Sequence, residues 1–238
     1  MAGPLALVGS GEFLPSTEDV DHSLVAFDRT HPPRVAIVPT AAGQEGTSSV
    51  ERWMALGVEH YERLGGQPVP IPATDEASAN DPALAALVDG ADLIYFSGGD
   101  PLYVTDTMRG SLVWAAVLRA WQNGSALAGC SAGAMMMGSV TASPRTSGLR
   151  DGLGVFRRLC VIPHFDRIDR FRPGMADSVV TAAPAGTVVV GVDEHTGLVH
   201  DGAAWTVRGQ QSVWIFEEGE RTQYESGQVV PLDVRFGA

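Results

Sequence analysis

Short, continuous apolar runs alternate along this chain with longer segments whose apolar residues recur every three or four positions. Residues 5–9, 34–39, 92–96, 126–128, 159–163 and 187–192 are the runs, with a weaker one at 69–72. Each is bounded by small or polar residues, the form taken by a strand buried on both faces of a parallel sheet. Between them the period lengthens. Val50, Trp53, Met54, Val58, Tyr61 and Leu64 keep helical spacing, and Gly65-Gly66 supplies the stop. Ser16 is placed to cap a helix with Glu18 and Asp19 in its first turn. Asn80 or Asp81 before Pro82 opens another through Val88, and 112–121 forms a further one.

Beyond residue 196 the pattern changes again. Segments 197–199, 203–207 and 212–216 are short and separated by Asp201-Gly202, Arg208-Gly209 and Glu218-Gly219, as in an antiparallel meander. Residues 141–154 are polar, glycine-containing and without strong period, which reads as a mobile loop or a hairpin over a site. Strand and helix alternating, then strands alone, predict an α/β fold: a doubly wound, mostly parallel sheet flanked by helices, with antiparallel strands at the C-terminal end. A chain of 238 residues is accommodated by a single domain, 1–238, and no linker or repeat divides it.

Composition narrows the function. The formal net charge is −12 and all 16 basic residues are arginine, so a nucleic-acid partner is excluded by repulsion and no lysine is present for catalysis. No apolar run approaches the length of a membrane helix, and the first residues lack the basic start of a signal peptide. Two cysteines, Cys130 and Cys160, make no disulfide framework, and a cytoplasmic location is expected.

In a sheet of this type, sites form at the carboxyl ends of strands. Gly9-Ser10-Gly11, Ser97-Gly98-Gly99-Asp100, Gly129-Cys130-Ser131-Ala132-Gly133 and His164 all fall there. Ser131 is central in a G-x-S-x-G that joins a strand to a helix, the pattern of a nucleophile elbow. Serine needs a base, and of six histidines His164, which follows a buried strand as Ser131 does, is the best placed, with His195 and His200 near the meander left as alternatives. The amides of Gly99 and Ala132 are the candidate oxyanion donors. Read without function, these residues are a tight turn, a backbone-bonded histidine and a glycine turn.

Taken together with Gly152-Leu153-Gly154, Pro163-His164-Phe165 and the segment Gly191-Val192-Asp193-Glu194-His195-Thr196-Gly197-Leu198, these motifs resemble, in order and approximate spacing, the cyanophycinase and dipeptidase E family of serine peptidases. The resemblance spans about residues 5–216. It implies a class I glutamine-amidotransferase-like fold, a serine nucleophile with a histidine base, no metal or organic cofactor, and hydrolysis of aspartyl peptides or of β-aspartyl-arginine bonds. Gly98, Asp100 and Arg167 are the expected substrate contacts. A small peptide and a second copy of the chain, as a homodimer, are the expected partners.

The chain departs from the family in two places. Pro101 stands where an amide side chain and a backbone donor are usual, and 132–150 contains no Asp or Glu, although the family's third triad member lies between serine and histidine. Amidotransferases of the same fold orient their histidine with an acid two residues on, so Asp166 ranks first for that role, Asp151 second and Glu194 third; Asp166 could equally cap the next helix. Arg145, Arg150, Arg167 and Arg170 flank the site as candidates for a substrate carboxylate. The missing acid and Pro101 keep a non-catalytic, ligand-binding relative open, whereas amidotransfer through Cys130 is disfavoured because serine holds the elbow's centre.

Overall fold

The computed structural model describes residues 2–143, 148–233, 236 and 237. Its strands are β1 (Leu5–Val8), β2 (Arg34–Val38), β3 (Gln67–Pro70), β4 (Leu93–Phe96), β5 (Ala126–Cys130), β6 (Val140–Ala142), β7 (Leu149–Asp151), β8 (Leu159–Ile162), β9 (Val188–Val192), β10 (Thr196–His200), β11 (Trp205–Gly209), β12 (Ser212–Glu217), β13 (Glu220–Glu225) and β14 (Val229–Val230). Its α-helices are α1 (Glu18–Leu24), α2 (Thr47–Leu64), α3 (Glu76–Ala79), α4 (Pro82–Ala86), α5 (Pro101–Met108), α6 (Leu112–Gln122), α7 (Ala132–Met135), α8 (Phe165–Phe171) and α9 (Met175–Ala182).

The central sheet has eight strands in the order β14-β11-β10-β1-β5-β4-β2-β3. From β1 to β3 every pairing is parallel, and from β1 to β14 every pairing is antiparallel. Its apolar runs are continuous because both faces are covered. Along β1 and β4, Leu5, Leu7, Ile94 and Phe96 face one cluster while Ala6, Val8, Leu93 and Tyr95 face the other, the two-residue alternation of a strand. Helices α1 and α2 close the second face through Val20, Leu24 and Tyr61; α5 and α6 close the first through Val104, Met108, Trp114 and Trp121.

The last strands do not extend this sheet as one meander. β8, β9, β12 and β13 form a second sheet of four, in the order β13-β12-β9-β8, with β8 and β9 parallel. Its Val161, Val188 and Val190 join the same core as α6, while Cys160, Ile162 and Val189 face α9 through Ala176 and Val179. The chain passes from the second sheet into the first at residues 193–195, between β9 and β10. The 141–154 segment contains the hairpin β6–β7.

Helix α7 is held hard against the sheet. A Cβ at Gly133 would lie 2.4 Å from the carbonyl oxygen of Phe96, and one at Gly129 would lie 2.3 Å from the carbonyl of Gly133. Only glycine lets the helix backbone come this close to β4 and β5. Gly133→Ala is therefore expected to cost about 1–3 kcal/mol through forced displacement. Urea unfolding should show a lower midpoint at unchanged slope; an unmoved midpoint would contradict the contact.

Candidate active site

Ser131 follows β5 directly and begins the turn into α7. Its φ of 51° and ψ of −112° lie outside the usual regions for a residue with a side chain, the strain that marks a nucleophile elbow. Its amide donates to the carbonyl of Val8 at 2.9 Å, so the strained residue is tied to the neighbouring strand. His164, at the end of β8, is also left-handed, with φ 50° and ψ 37°. The Phe165 ring behind it packs on Gly191, where a Cβ would come within 2.5 Å of the ring; this docks the start of α8 on β9.

The imidazole bridges two partners. His164 Nε2 is 3.1 Å from Ser131 Oγ, and Nδ1 is 3.2 Å from Glu194 Oε1. The tautomer with its proton on Nδ1 donates to Glu194 and accepts from the Ser131 hydroxyl. Glu194 is only 14% exposed and its other oxygen is 2.8 Å from Arg167 Nε. Its amide donates to Asp166 Oδ1 at 2.8 Å, and its carbonyl accepts from Gln211 Nε2 at 2.9 Å.

Glu194, not Asp166, is thus the carboxylate on the imidazole. The expectation for Asp166 assumed an extended segment after His164, in which residues two apart share a side. Helix α8 starts at Phe165 instead, and Asp166 turns to hold the backbone of Glu194. Asp151 sits in β7, where its carbonyl accepts from Arg109. The signal for Glu194 was strand pairing: Ile162 lies opposite Gly191 in the parallel β8–β9 pair, which brings the residues just after the two strands together.

Gly98 and Gly99 lie where the end of β4 meets the elbow. A Cβ on Gly98 would be 3.4 Å from Ser131 Cβ. The Gly98 amide donates to Glu12 Oε1 at 3.0 Å. Gly99 has φ 145° and passes so near the carbonyl of Ala41 that a Cβ would be 2.3 Å from it. Among the described residues no acceptor takes the Gly99 amide, and Ala132, first in α7, has no carbonyl one turn earlier to receive its N–H. Asp100 caps α5, its Oδ1 accepting from the amides of Leu102 and Tyr103, and Pro101 takes the first helical position where no donor is needed.

A cavity of about 210 Å³ opens beside Ser131 and His164. Its walls are mostly apolar, among them Met135, Ile162, Ile168, Phe171 and Met175; among the described residues Arg172 is the arginine that lines it. Arg167, expected to touch substrate, is engaged by Glu194 and Asp166, and Arg150 pairs with Asp106 at 3.2 Å. Arg145 lies outside the described residues. Arg172, which no sequence motif singles out, reaches the cavity because it directly follows the end of α8. Among the described residues no group of three His, Cys, Asp or Glu could hold a metal ion, and no helix is long and apolar enough to cross a membrane.

An elbow serine, a histidine bonded to it and a carboxylate bonded to that histidine form the side-chain set of a serine hydrolase. The chain belongs to peptidase family S51, whose model matches residues 5–208, and is a serine-type peptidase. It is similar to a crystallised peptidase from an acI-B1 Actinobacterium, with 36% identity, a TM-score of 0.89 and coverage of 97% of each chain. It also shares the fold of a putative Peptidase E protein from Listeria monocytogenes EGD-e, at 15% identity and a TM-score of 0.66, over 89% of this chain and 100% of that one. A comparison with curated proteins gives no match.

Cys130, beside the nucleophile, is built for inertness. Burial, reinforced by the charge of Glu12, pushes its thiol well above the ordinary range; burial alone takes Cys160 up to about 12. Both therefore stay protonated and unreactive at neutral pH. Ellman's reagent should titrate neither thiol in the native protein and both after denaturation. Fast native labelling of Cys130 would contradict this.

Proposed function

We propose that the protein hydrolyses short peptides at an aspartyl residue, with Ser131 as nucleophile and His164 as base. In acylation the Ser131 oxygen attacks the scissile carbonyl carbon while its proton passes to His164 Nε2. The Gly99 and Ala132 amides hold the resulting oxyanion, and the imidazolium, stabilised by Glu194, returns the proton to the leaving amine. Water then repeats the sequence on the ester, releasing the acyl product and restoring Ser131. The observation that carries the reading is the chain of contacts from Ser131 through His164 to Glu194, at 3.1 and 3.2 Å. Glu194 beside His164 supports the catalytic reading over a purely ligand-binding relative.

The aspartyl preference rests on Arg172, a guanidinium lining a mostly apolar cavity. Arg172 is exposed at the mouth of that cavity, where a guanidinium–carboxylate contact is worth about 1 kcal/mol. A β-aspartyl-arginine substrate is less well served, since among the described residues no carboxylate lines that cavity to receive a second guanidinium. The apolar wall suits the neighbouring, uncharged residue of a dipeptide.

A fluorophosphonate probe should form its adduct on Ser131, located by mass spectrometry, and His164→Ala should abolish labelling. An unreactive Ser131 in the folded protein would overturn the mechanism. For specificity, Arg172→Ala should lower kcat/KM for aspartyl dipeptides by about fivefold while leaving the corresponding asparaginyl dipeptides nearly unchanged. Equal losses on both would refute the role of Arg172.

A further inference from the structure

We infer that Glu12 is a positioning residue that fixes the spacing between the nucleophile and the oxyanion loop. The inference rests on the serine mechanism above and adds to it a carboxylate that touches neither substrate nor triad.

Three adjacent strands end side by side here, β1, β5 and β4, all parallel. Glu12 comes from the loop after β1 and spans the other two ends. Its Oε2 accepts from the Cys130 thiol at 3.0 Å, one residue before Ser131, and its Oε1 accepts from the Gly98 amide at 3.0 Å, one residue before Gly99. One planar group therefore ties together the residues that precede the nucleophile and the oxyanion donor. Burial keeps Cys130 a thiol, so it remains a donor to the carboxylate.

The contact is tight and its support is rigid. A Cβ on Gly98 would lie 2.9 Å from Glu12 Oε1, so a side chain there would push the carboxylate away from the amide. Phe13, the next residue, adopts φ 63° and buries its ring among Trp53, Tyr61 and Tyr95. On the other side, Thr17 Oγ1 donates to the Gly11 carbonyl at 2.7 Å. The backbone of Glu12 is thus held from both flanks, which fixes the point from which its carboxylate reaches the two strand ends.

The chemical consequence concerns which amide faces the oxyanion. With Glu12 accepting from Gly98, that N–H is occupied and the loop presents Gly99. Without it, the buried Gly98 amide loses its acceptor, and the peptide is free to turn that N–H elsewhere and carry the Gly99 amide off its position. Oxyanion donors matter in the transition state and little for ground-state binding, so the loss should fall on kcat.

Length and charge can be separated. Glu12→Gln keeps the reach and an oxygen acceptor but removes the charge; Glu12→Asp keeps the charge but is one methylene too short to span both partners. The readouts are the rate of Ser131 phosphonylation by a fluorophosphonate, which needs no known substrate, and kcat and KM on the best dipeptide. Glu12→Ala and Glu12→Asp should slow phosphonylation and lower kcat by about 10²-fold with KM within about threefold, while Glu12→Gln stays within about fivefold of wild type. Glu12→Asp at wild-type rate, or Glu12→Gln as impaired as Glu12→Asp, would overturn the assignment. Should Glu12→Ala fail to fold, the Gln and Asp variants still decide. A wild type unlabelled at Ser131 would instead refute the serine mechanism, and this inference with it.

Discussion

Glycine at 133 is the constraint on which the site depends. With a Cβ excluded by the Phe96 carbonyl, α7 lies directly on the ends of β4 and β5, and the chain has no room between strand and helix except a single strained turn. Ser131 occupies that turn. A left-handed φ at a residue with a side chain costs of order 1–3 kcal/mol, and such strain persists only where its surroundings over-determine it. Here the surroundings are Ala132, Ala134, Met136 and Met137, all buried in the main core. His164 carries the same kind of strain at the end of β8, set by the docking of Phe165 on Gly191.

The triad-like chain joins two sheets through the segment that links them. Ser131 belongs to the end of the central sheet and His164 to the end of the second. Glu194 stands in the link from β9 to β10, which is pressed against β1: a Cβ at Gly9 would come 2.1 Å from the Asp193 carbonyl. The charges are arranged in the same way. Glu194 and Asp166 contribute two negative charges and Arg167 one positive, so the imidazolium of the proposed mechanism would bring the group to neutrality. Glu194 is mostly shielded from solvent, where such compensation is worth more than at the surface.

Much of this was legible in the sequence. The buried strands announced themselves as unbroken apolar runs, and Gly129 and Gly133 flanking Ser131 encode the close approach that makes the elbow. His164 was marked by its place after such a run. What escaped depended on pairing rather than pattern. Glu194 approaches His164 because β8 and β9 are parallel neighbours, and Asp166 was favoured on an extended backbone that α8 replaces. Helices α5, α8 and α9 are short, and Arg172 lies just past the end of α8 with no motif around it, so it could not be placed at the cavity. Glu12 carries no motif; its role emerges only where three strand ends meet.

The most direct test of the account is the hydrogen-bonded proton on His164 Nδ1, read by proton NMR in water at low temperature. A resonance far downfield of the amide region should be present in the wild type, vanish in Glu194→Ala and survive in Asp166→Asn. A downfield proton that outlasts the loss of Glu194 and disappears with Asp166 would contradict the arrangement on which the proposed chemistry stands.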